Sequence, residues 1–401
     1  MGEPDLELTE QHRGIMTKIL ISAGEASGDL HAGAVTRAIK QLNPEAEVFG
    51  MGGDCLRQAG GEVLFDIKDH SVMGFVEVLK KLPDIWKLRS DFIKLMERRK
   101  PDVLLTIDYP GFNMRLAKLA KERGIKVVSF IAPSAWAWRP SRAAGVVKVV
   151  DKIASIFPFE YDLYKSYGAD LEFVGHPLVD TVKPSLPRSA AEKLAGKRQG
   201  HPLILLMPGS REMEIRRLLP EMLAAAKILK QKRPEFDFAM PRAATIARET
   251  LEHSIKEAGL EVTLTEDHNY DIMSVADFAI ATSGTVTLEA ALCGLGCIIL
   301  YKSSPVSFWI AKRVVEIPHI GLPNIVAGRL IEPELLQDDC TPGTIVSVAL
   351  EMLEPLRFAQ LQKDLREVKE KLGEPGAVKR VAELVLRMAR EHQEEALQIL
   401  S

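Results

Sequence analysis

Arg211 closes a short segment, Met207-Pro208-Gly209-Ser210-Arg211, whose residue types suit an anion. Gly209 lets the backbone approach a charged ligand, and Ser210 leads into a helix start with unpaired N–H groups. Arg211 adds a planar guanidinium fork that matches phosphate oxygens. The bland alternative for Arg211 is a surface ion pair; its place beside a strand-end glycine favours the phosphate. A second segment, Thr282-Ser283-Gly284-Thr285-Val286-Thr287-Leu288-Glu289, repeats the plan. Ser283, Gly284 and Thr285 stand where an apolar strand gives way to a helix, so they can hold a pyrophosphate. Glu289 lies four residues beyond Thr285 on the same helix face. Its carboxylate would repel a phosphate and suits the ribose hydroxyls further along a nucleotide.

Asp108 ends the apolar run Asp102–Ile107, in the segment Thr106-Ile107-Asp108-Tyr109-Pro110-Gly111-Phe112-Asn113. A carboxylate at a strand's carboxyl end can serve as a general base; the competing role is a turn or cap residue. The loop Ser22–Asp29 carries ligand-facing polar groups, Glu25 and Ser27 among them. It offers only Gly24 and Gly28, so it is not the dinucleotide fingerprint, and Asp54 is not in a ribose-binding place. Glu25 either accepts sugar hydroxyls or is a first-turn charge favoured by the helix dipole. His176 is a hinge residue or a substrate contact.

These residues need strands to end on. Short apolar runs at Lys18–Ala23, Asp102–Ile107, Lys126–Ile131 and Lys152–Phe157 alternate with amphipathic segments. That is the pattern of a parallel sheet covered on both faces. The pattern stops in a Pro/Lys/Arg/Gly-rich stretch and begins again at Leu203–Met207. A long helix, Glu212 to Arg233, follows, then strands at Phe236–Met240, Glu261–Thr265, Phe278–Thr282 and Cys297–Tyr301. The expected fold is α/β, with two facing Rossmann-like, doubly wound domains and C-terminal helices. The expected divisions are a disordered polar extension at 1–15, a first domain at 16–181, a linker at 182–200 and a second domain at 201–355. Helices at 356–401 would pack on either domain or on a partner subunit, which leaves room for a homodimer.

Composition excludes several classes. The 401 residues carry 52 Lys plus Arg and 55 Asp plus Glu, a net charge of −3, without the basic footprint of a nucleic-acid binder. No apolar run reaches the ~18 residues of a spanning helix. The first residues lack the apolar core of a signal peptide. Four scattered cysteines suit a reducing, cytoplasmic compartment, and Cys293 and Cys297 read as core. No metal or cofactor is expected. Asp267, Asn269 and Asp271 imitate a calcium loop that fails at Ile272 and Phe278, and Asp-x-Asp is absent.

One stretch, Ser71–Arg89, sets Phe75, Val78, Leu79, Leu82, Ile85 and Trp86 at helical spacing between Lys80, Lys81, Lys87 and Arg89. It is either a core-facing helix or one that lies on an anionic membrane and meets acyl chains. Pro83 fits the first turn of a following helix.

From Lys18 to Leu386 the chain resembles the lipid-A-disaccharide synthase family. The motifs are GEASGD (Gly24–Asp29), VMGFVEVL (Val72–Leu79), IDYPGFN (Ile107–Asn113), PSAWAWR (Pro133–Arg139), FPFE (Phe157–Glu160), FVGHPLVD (Phe173–Asp180), PGSR (Pro208–Arg211), TSGTVTLE (Thr282–Glu289) and LPNIVAGR (Leu322–Arg329). PSAWAWR and LPNIVAGR discriminate most. Tyr109, where a smaller residue is common, and the polar extension before Met16 are the departures.

The resemblance implies a GT-B-type architecture and an inverting transfer from UDP-2,3-diacylglucosamine to the 6-hydroxyl of 2,3-diacylglucosamine 1-phosphate. The products would be the β-1,6 disaccharide 1-phosphate and UDP, made at the inner face of the cytoplasmic membrane by a peripheral enzyme. It implies Asp108 as the base, with Arg211 and the Ser283–Thr285 helix start stabilising the departing diphosphate. Glu289 would bind the ribose. Glu25, Ser27, Asn113 and Asn324 would be substrate-binding, together with Gly209, Ser210, Ser283, Gly284 and Thr285. Phe75, Val78, Leu79, Leu82 and Trp86 would meet the acyl chains or the membrane. Two other classes stay open on the residues alone. One is an enzyme of the same architecture acting on soluble sugars, such as a hydrolysing UDP-N-acetylglucosamine 2-epimerase. The other is a non-catalytic nucleotide-sugar or lipid binder, which would tolerate loss of Asp108.

Overall fold

The computed structural model describes residues 16–70, 82–133, 140–304, 308, 309, 313 and 317–400. Phe75, Val78, Leu79 and the 1–15 extension lie outside the described residues, and Leu82 only opens a described helix. Among the described residues no helix is long and apolar enough to cross a membrane. The described chain forms two units, residues up to 175 joined by those from 376 onward, and residues 176–375.

The first unit is built on seven parallel strands: β1 (Lys18–Ala23), β2 (Glu47–Gly52), β3 (Glu62–Asp66), β4 (Val103–Ile107), β5 (Lys126–Phe130), β6 (Lys152–Ser155) and β7 (Leu171–Phe173). Their order across the sheet is β3-β2-β1-β4-β5-β6-β7. In the second unit β8 (Leu203–Met207), β9 (Asp237–Pro241), β10 (Thr263–Thr265), β11 (Phe278–Thr282), β12 (Cys297–Tyr301) and β13 (Glu334–Leu336) lie in the order β10-β9-β8-β11-β12-β13. Both orders reverse direction at one place, between β1 and β4 and between β8 and β11. Ligands of doubly wound sheets bind outside the carboxyl ends of the strands at such a switch point. The two candidate regions read from the sequence sit at these two points. Ala23 pairs with Ile107, so the Gly24 loop and Asp108 leave the first sheet side by side. Ala281 pairs with Met207, which does the same for the Pro208 and Ser283 loops.

The central strands are apolar throughout because helices cover both faces. Ile19, Leu20, Ile21, Leu104, Leu105, Ile204, Leu205 and Ile280 are wholly buried. The segment expected as a linker, 182–200, is part of the second unit and holds a helix, Arg188–Leu194, that packs on the helix Asn269–Val275. Asp271 ties it down: its carboxylate accepts from the backbone N–H groups of Ser185 and Leu186 and from the Ser185 hydroxyl. The C-terminal helices divide. Pro355–Lys371 stays with the second unit, while Ala377–Leu400 returns to the first and packs along the helix Ala26–Leu42 and beside β4 and β5. The apolar face of that last helix, Val381, Leu384, Val385 and Met388, is buried there.

Candidate functional site

In the first unit β4 delivers Asp108 and Tyr109 in an unusual backbone state. Both have left-handed conformation, with φ of +48° and +50°. For non-glycine residues this costs of order 1–3 kcal/mol each and persists only where the surroundings over-determine it. Asn113 supplies the constraint from the first turn of the helix Pro110–Lys121. Its Nδ2 donates to the Asp108 carbonyl (2.7 Å) and the Ser22 carbonyl (3.1 Å), while its Oδ1 accepts from the Ser22 hydroxyl (2.6 Å). The Asp108 N–H donates to the Phe130 carbonyl at 3.3 Å, anchoring the turn to β5. Asn113 is wholly buried with both ends of its amide used, which gives it a positioning role for the Asp108 turn.

Asp108 itself is half-buried, and burial pushes its carboxyl above the ordinary range against the smaller opposing pull of the Tyr109 N–H. Raised proton affinity is what a general base needs. Tyr109 lies flat against Gly24: a Cβ there would run into the Tyr109 ring, which explains the first glycine of the loop. Burial and the nearby Glu25 carboxylate push the Tyr109 phenol up. Glu25 and Ser27 are exposed at the start of the helix, open to a ligand. Asp29 is not: its buried carboxylate accepts from the N–H groups of Gly53, Cys55 and Leu56 and caps the helix Asp54–Gln58. The sequence reading passed over His31. It lies edge-on to the Phe130 ring at 5.8 Å, and burial lowers its pKa, leaving it neutral near pH 7.

The second unit holds an open cleft of about 400 Å³ that brings Gly209, Ser210 and Arg211 together with Ser283, Gly284, Thr285 and Glu289. Gly209 has φ +111°, and a Cβ there would collide with Glu214. Glu214 is the unforeseen member. Its Oε2 accepts from the N–H groups of Ser210 (3.1 Å) and Arg211 (3.2 Å), and Arg211 Nη1 donates to its Oε1 at 3.0 Å. The donors expected to hold a phosphate thus hold an internal carboxylate, through a capping box at the start of the helix Glu212–Lys232. Glu289 is largely shielded; burial pushes its carboxyl up, and Tyr270 donates to it at 3.3 Å with its own phenol raised to about 12. Arg242 was also missed. It follows the end of β9, lines the same cleft and is held by Glu266 (3.0 Å) and the Ile246 carbonyl (2.7 Å). A cation directly after a strand beside β8 was its available signal.

Asn324 sits inside the second unit. It is wholly buried: Nδ2 donates to the Glu332 carbonyl and to Glu334, and Oδ1 accepts from the N–H groups of Ile331 and Glu332. These bonds brace the helix Leu322–Ala327 against β13. His176 is buried, with Nδ1 accepting from the Leu178 N–H at 3.1 Å, a structural role at the unit boundary.

The family model described as lipid-A-disaccharide synthetase matches residues 19–388. The chain belongs to the lipid-A-disaccharide synthase family. The lipid-A-disaccharide synthase of Geobacter sulfurreducens is 41% identical over 372 residues, covering 92% of this chain and 97% of the relative. That of Nitrosococcus oceani is 40% identical over 371 residues, covering 92% and 96%. Among solved structures, the UDP-GlcNAc 2-epimerase of Neisseria meningitidis bound to UDP-GlcNAc superposes with a TM-score of 0.61 at 14% identity, over 92% of this chain and 100% of that one. MurG of Acinetobacter baumannii gives 0.55 at 15% identity, over 92% and 99%. At such identities the likeness carries the fold alone, two Rossmann-like units. As a lipid-A-disaccharide synthase family member the chain is an inverting glycosyltransferase that forms the lipid A disaccharide from a UDP-sugar and a glucosamine phosphate lipid. The soluble-sugar enzyme and the non-catalytic binder, left open on the residues alone, are set aside by this membership.

Proposed function

We propose that Asp108 is the base of the transfer and that the second unit's cleft holds the UDP part of the donor, UDP-2,3-diacylglucosamine. The 6-hydroxyl oxygen of 2,3-diacylglucosamine 1-phosphate attacks the donor's anomeric carbon as Asp108 takes its proton. The bond from that carbon to the diphosphate breaks on the opposite side, UDP carries away the electron pair, and the configuration inverts. Arg211 and the helix start at Ser283–Thr285 stabilise the charge that develops on the leaving diphosphate. Glu289 accepts from the ribose hydroxyls, and Glu25 and Ser27 contact the acceptor sugar. The observation that carries this reading is the Asp108 turn: a strained, over-determined conformation at a switch point, bearing a carboxyl whose proton affinity burial raises.

Both substrates carry acyl chains that leave a bilayer at a cost of about 0.8 kcal/mol per methylene. The chain therefore works as a peripheral protein at the cytoplasmic face of the membrane. The 71–89 stretch is the contact, apolar and basic together, and Trp86 at 68% exposure is its described aromatic. The test is to incubate the purified protein with the two lipids and weigh the products. A tetraacyl disaccharide 1-phosphate appearing with UDP supports the reading. Free diacylglucosamine without disaccharide would count against it.

A further inference from the structure

We infer that the groove between the helices Leu82–Arg99 and Pro110–Lys121 is the seat of the acceptor lipid's phosphate, with Arg89 and Arg115 as its two cationic walls; this rests on the acceptor assignment proposed above. The groove is lined by Ile85, Trp86, Arg89, Phe112, Arg115 and Leu116. Spacing explains the composition. Ile85, Trp86 and Arg89 share a face of one helix at i, i+1 and i+4, and Phe112, Arg115 and Leu116 do so on the other at i, i+3 and i+4. The result is an apolar floor with one guanidinium from each side.

Three observations point to a phosphorylated, acylated ligand. Arg89 and Arg115 are exposed and have no ion-pair or hydrogen-bond partner among the described residues, whereas Arg99 and Arg123, at the far ends of the same helical region, are both paired with glutamates. The nearest acidic residues of the first helix also turn elsewhere: Asp84 and Asp91 line a separate recess with Phe65, Asp69 and Lys87, and no carboxylate lines the groove itself. Finally, the floor connects to the turn that carries the base, because the Phe112 ring lies 6.0 Å from that of Tyr109, the residue after Asp108. On the acceptor the reacting 6-hydroxyl and the 1-phosphate stand on opposite sides of one sugar ring. A phosphate site for it must lie beside the base and not at it. Two guanidinium forks match a phosphomonoester of charge about −1.5 to −2, and Trp86, Ile85 and Leu116 give an acyl chain an apolar path.

The experiment compares the acceptor with and without its 1-phosphate, presented in neutral detergent micelles, for the wild type, the double variant Arg89→Gln/Arg115→Gln and Trp86→Ala. Both arginines are exposed, so the fold stands. The double variant should raise KM for the phosphorylated acceptor roughly 10- to 100-fold, the loss expected of charge-assisted bonds. It should leave KM for the UDP-sugar unmoved and abolish the preference for the phosphorylated acceptor. Trp86→Ala should raise KM for both acceptors alike. A double variant that keeps the wild-type preference overturns the groove as the phosphate site. So does one that loses both acceptors equally, which would leave the arginines no role beyond the membrane contact of the 71–89 stretch. If the wild type makes no disaccharide from either acceptor, the acceptor assignment falls first and the groove with it.

Discussion

Asn113 and Asp108 are joined by a 2.7 Å hydrogen bond from the Asn113 amide to the Asp108 carbonyl, and the same amide is locked to Ser22 on the neighbouring strand. A residue from the following helix thus fixes a turn that would otherwise relax. Asn113→Ala leaves the Ser22 hydroxyl and the Asp108 carbonyl short of a buried partner, at about 1–3 kcal/mol each before relaxation. The expected outcome is a lower melting temperature and turnover reduced at least tenfold, with UDP affinity unchanged because the cleft lies in the other unit. Calorimetry and steady-state rates on one preparation check both parts.

Gly24 and Tyr109 form a second dependency of the same turn. A Cβ at position 24 collides with the Tyr109 ring, so Gly24→Ala should displace the ring and with it the Asp108 turn. Turnover is expected to fall strongly in Gly24→Ala. Adding Tyr109→Ala should restore a substantial part of it, giving a coupling energy above ~0.5 kcal/mol in the double-mutant cycle. Additive losses would mean that the glycine serves some other contact.

Glu214 and Arg211 make opposite predictions for UDP. Arg211→Ala removes a charge-assisted contact and should weaken UDP by roughly 10- to 150-fold. Glu214→Gln removes the internal carboxylate from the Ser210 and Arg211 N–H groups and should tighten UDP several-fold. The same change weakens the helix start by up to about 1 kcal/mol. Titration calorimetry reads both signs, and a Glu214→Gln protein that binds UDP more weakly would make the carboxylate an organiser of the loop and not a competitor.

The architecture was legible where the physics is local. Continuous apolar runs gave β1, β4, β5, β8 and β11, and glycine or serine loops after them gave both switch points. β2 was not legible because Glu47–Gly52 contains Gly50, which passes so close to Ile21 that no side chain fits there. A strand written with glycines carries no alternation to read. Asn113 and Asn324 were expected to bind substrate on the family resemblance alone, and a sequence does not show what surrounds an amide. Burial turns both into braces. Glu214 and Arg242 escaped notice for the opposite reason: each is an ordinary surface charge by type and spacing, and only the folded loop brings it into the cleft. The last helix was read as able to pack in several places, since its apolar face specifies burial without specifying a partner.

Glu332 predicts a pH dependence of stability. It is wholly buried, its Oε1 accepts from the Cys297 N–H at 2.9 Å, and its Oε2 has no partner among the described residues. Burial raises its carboxyl from 4.5 to about 8, so the folded chain holds it as the neutral acid at pH 7. The folded state binds this proton more tightly than the unfolded state. Its stabilising effect is therefore complete below about pH 4.5, shrinks as pH rises and is gone above about pH 8, a span of a few kcal/mol. Glu332→Gln should flatten the fall in melting temperature between pH 6 and 9. An unchanged slope would assign that fall to other groups.

Turnover of Asp108→Asn on the two lipid substrates, measured beside its UDP affinity, tests the central assignment most directly. The substitution keeps size and turn geometry and removes only the ability to take a proton. A base contributes about 10²–10⁴-fold, so disaccharide formation should fall by at least a hundredfold while UDP binds as in the wild type. A variant that keeps more than about a tenth of wild-type turnover, with UDP binding intact, would contradict Asp108 as the base.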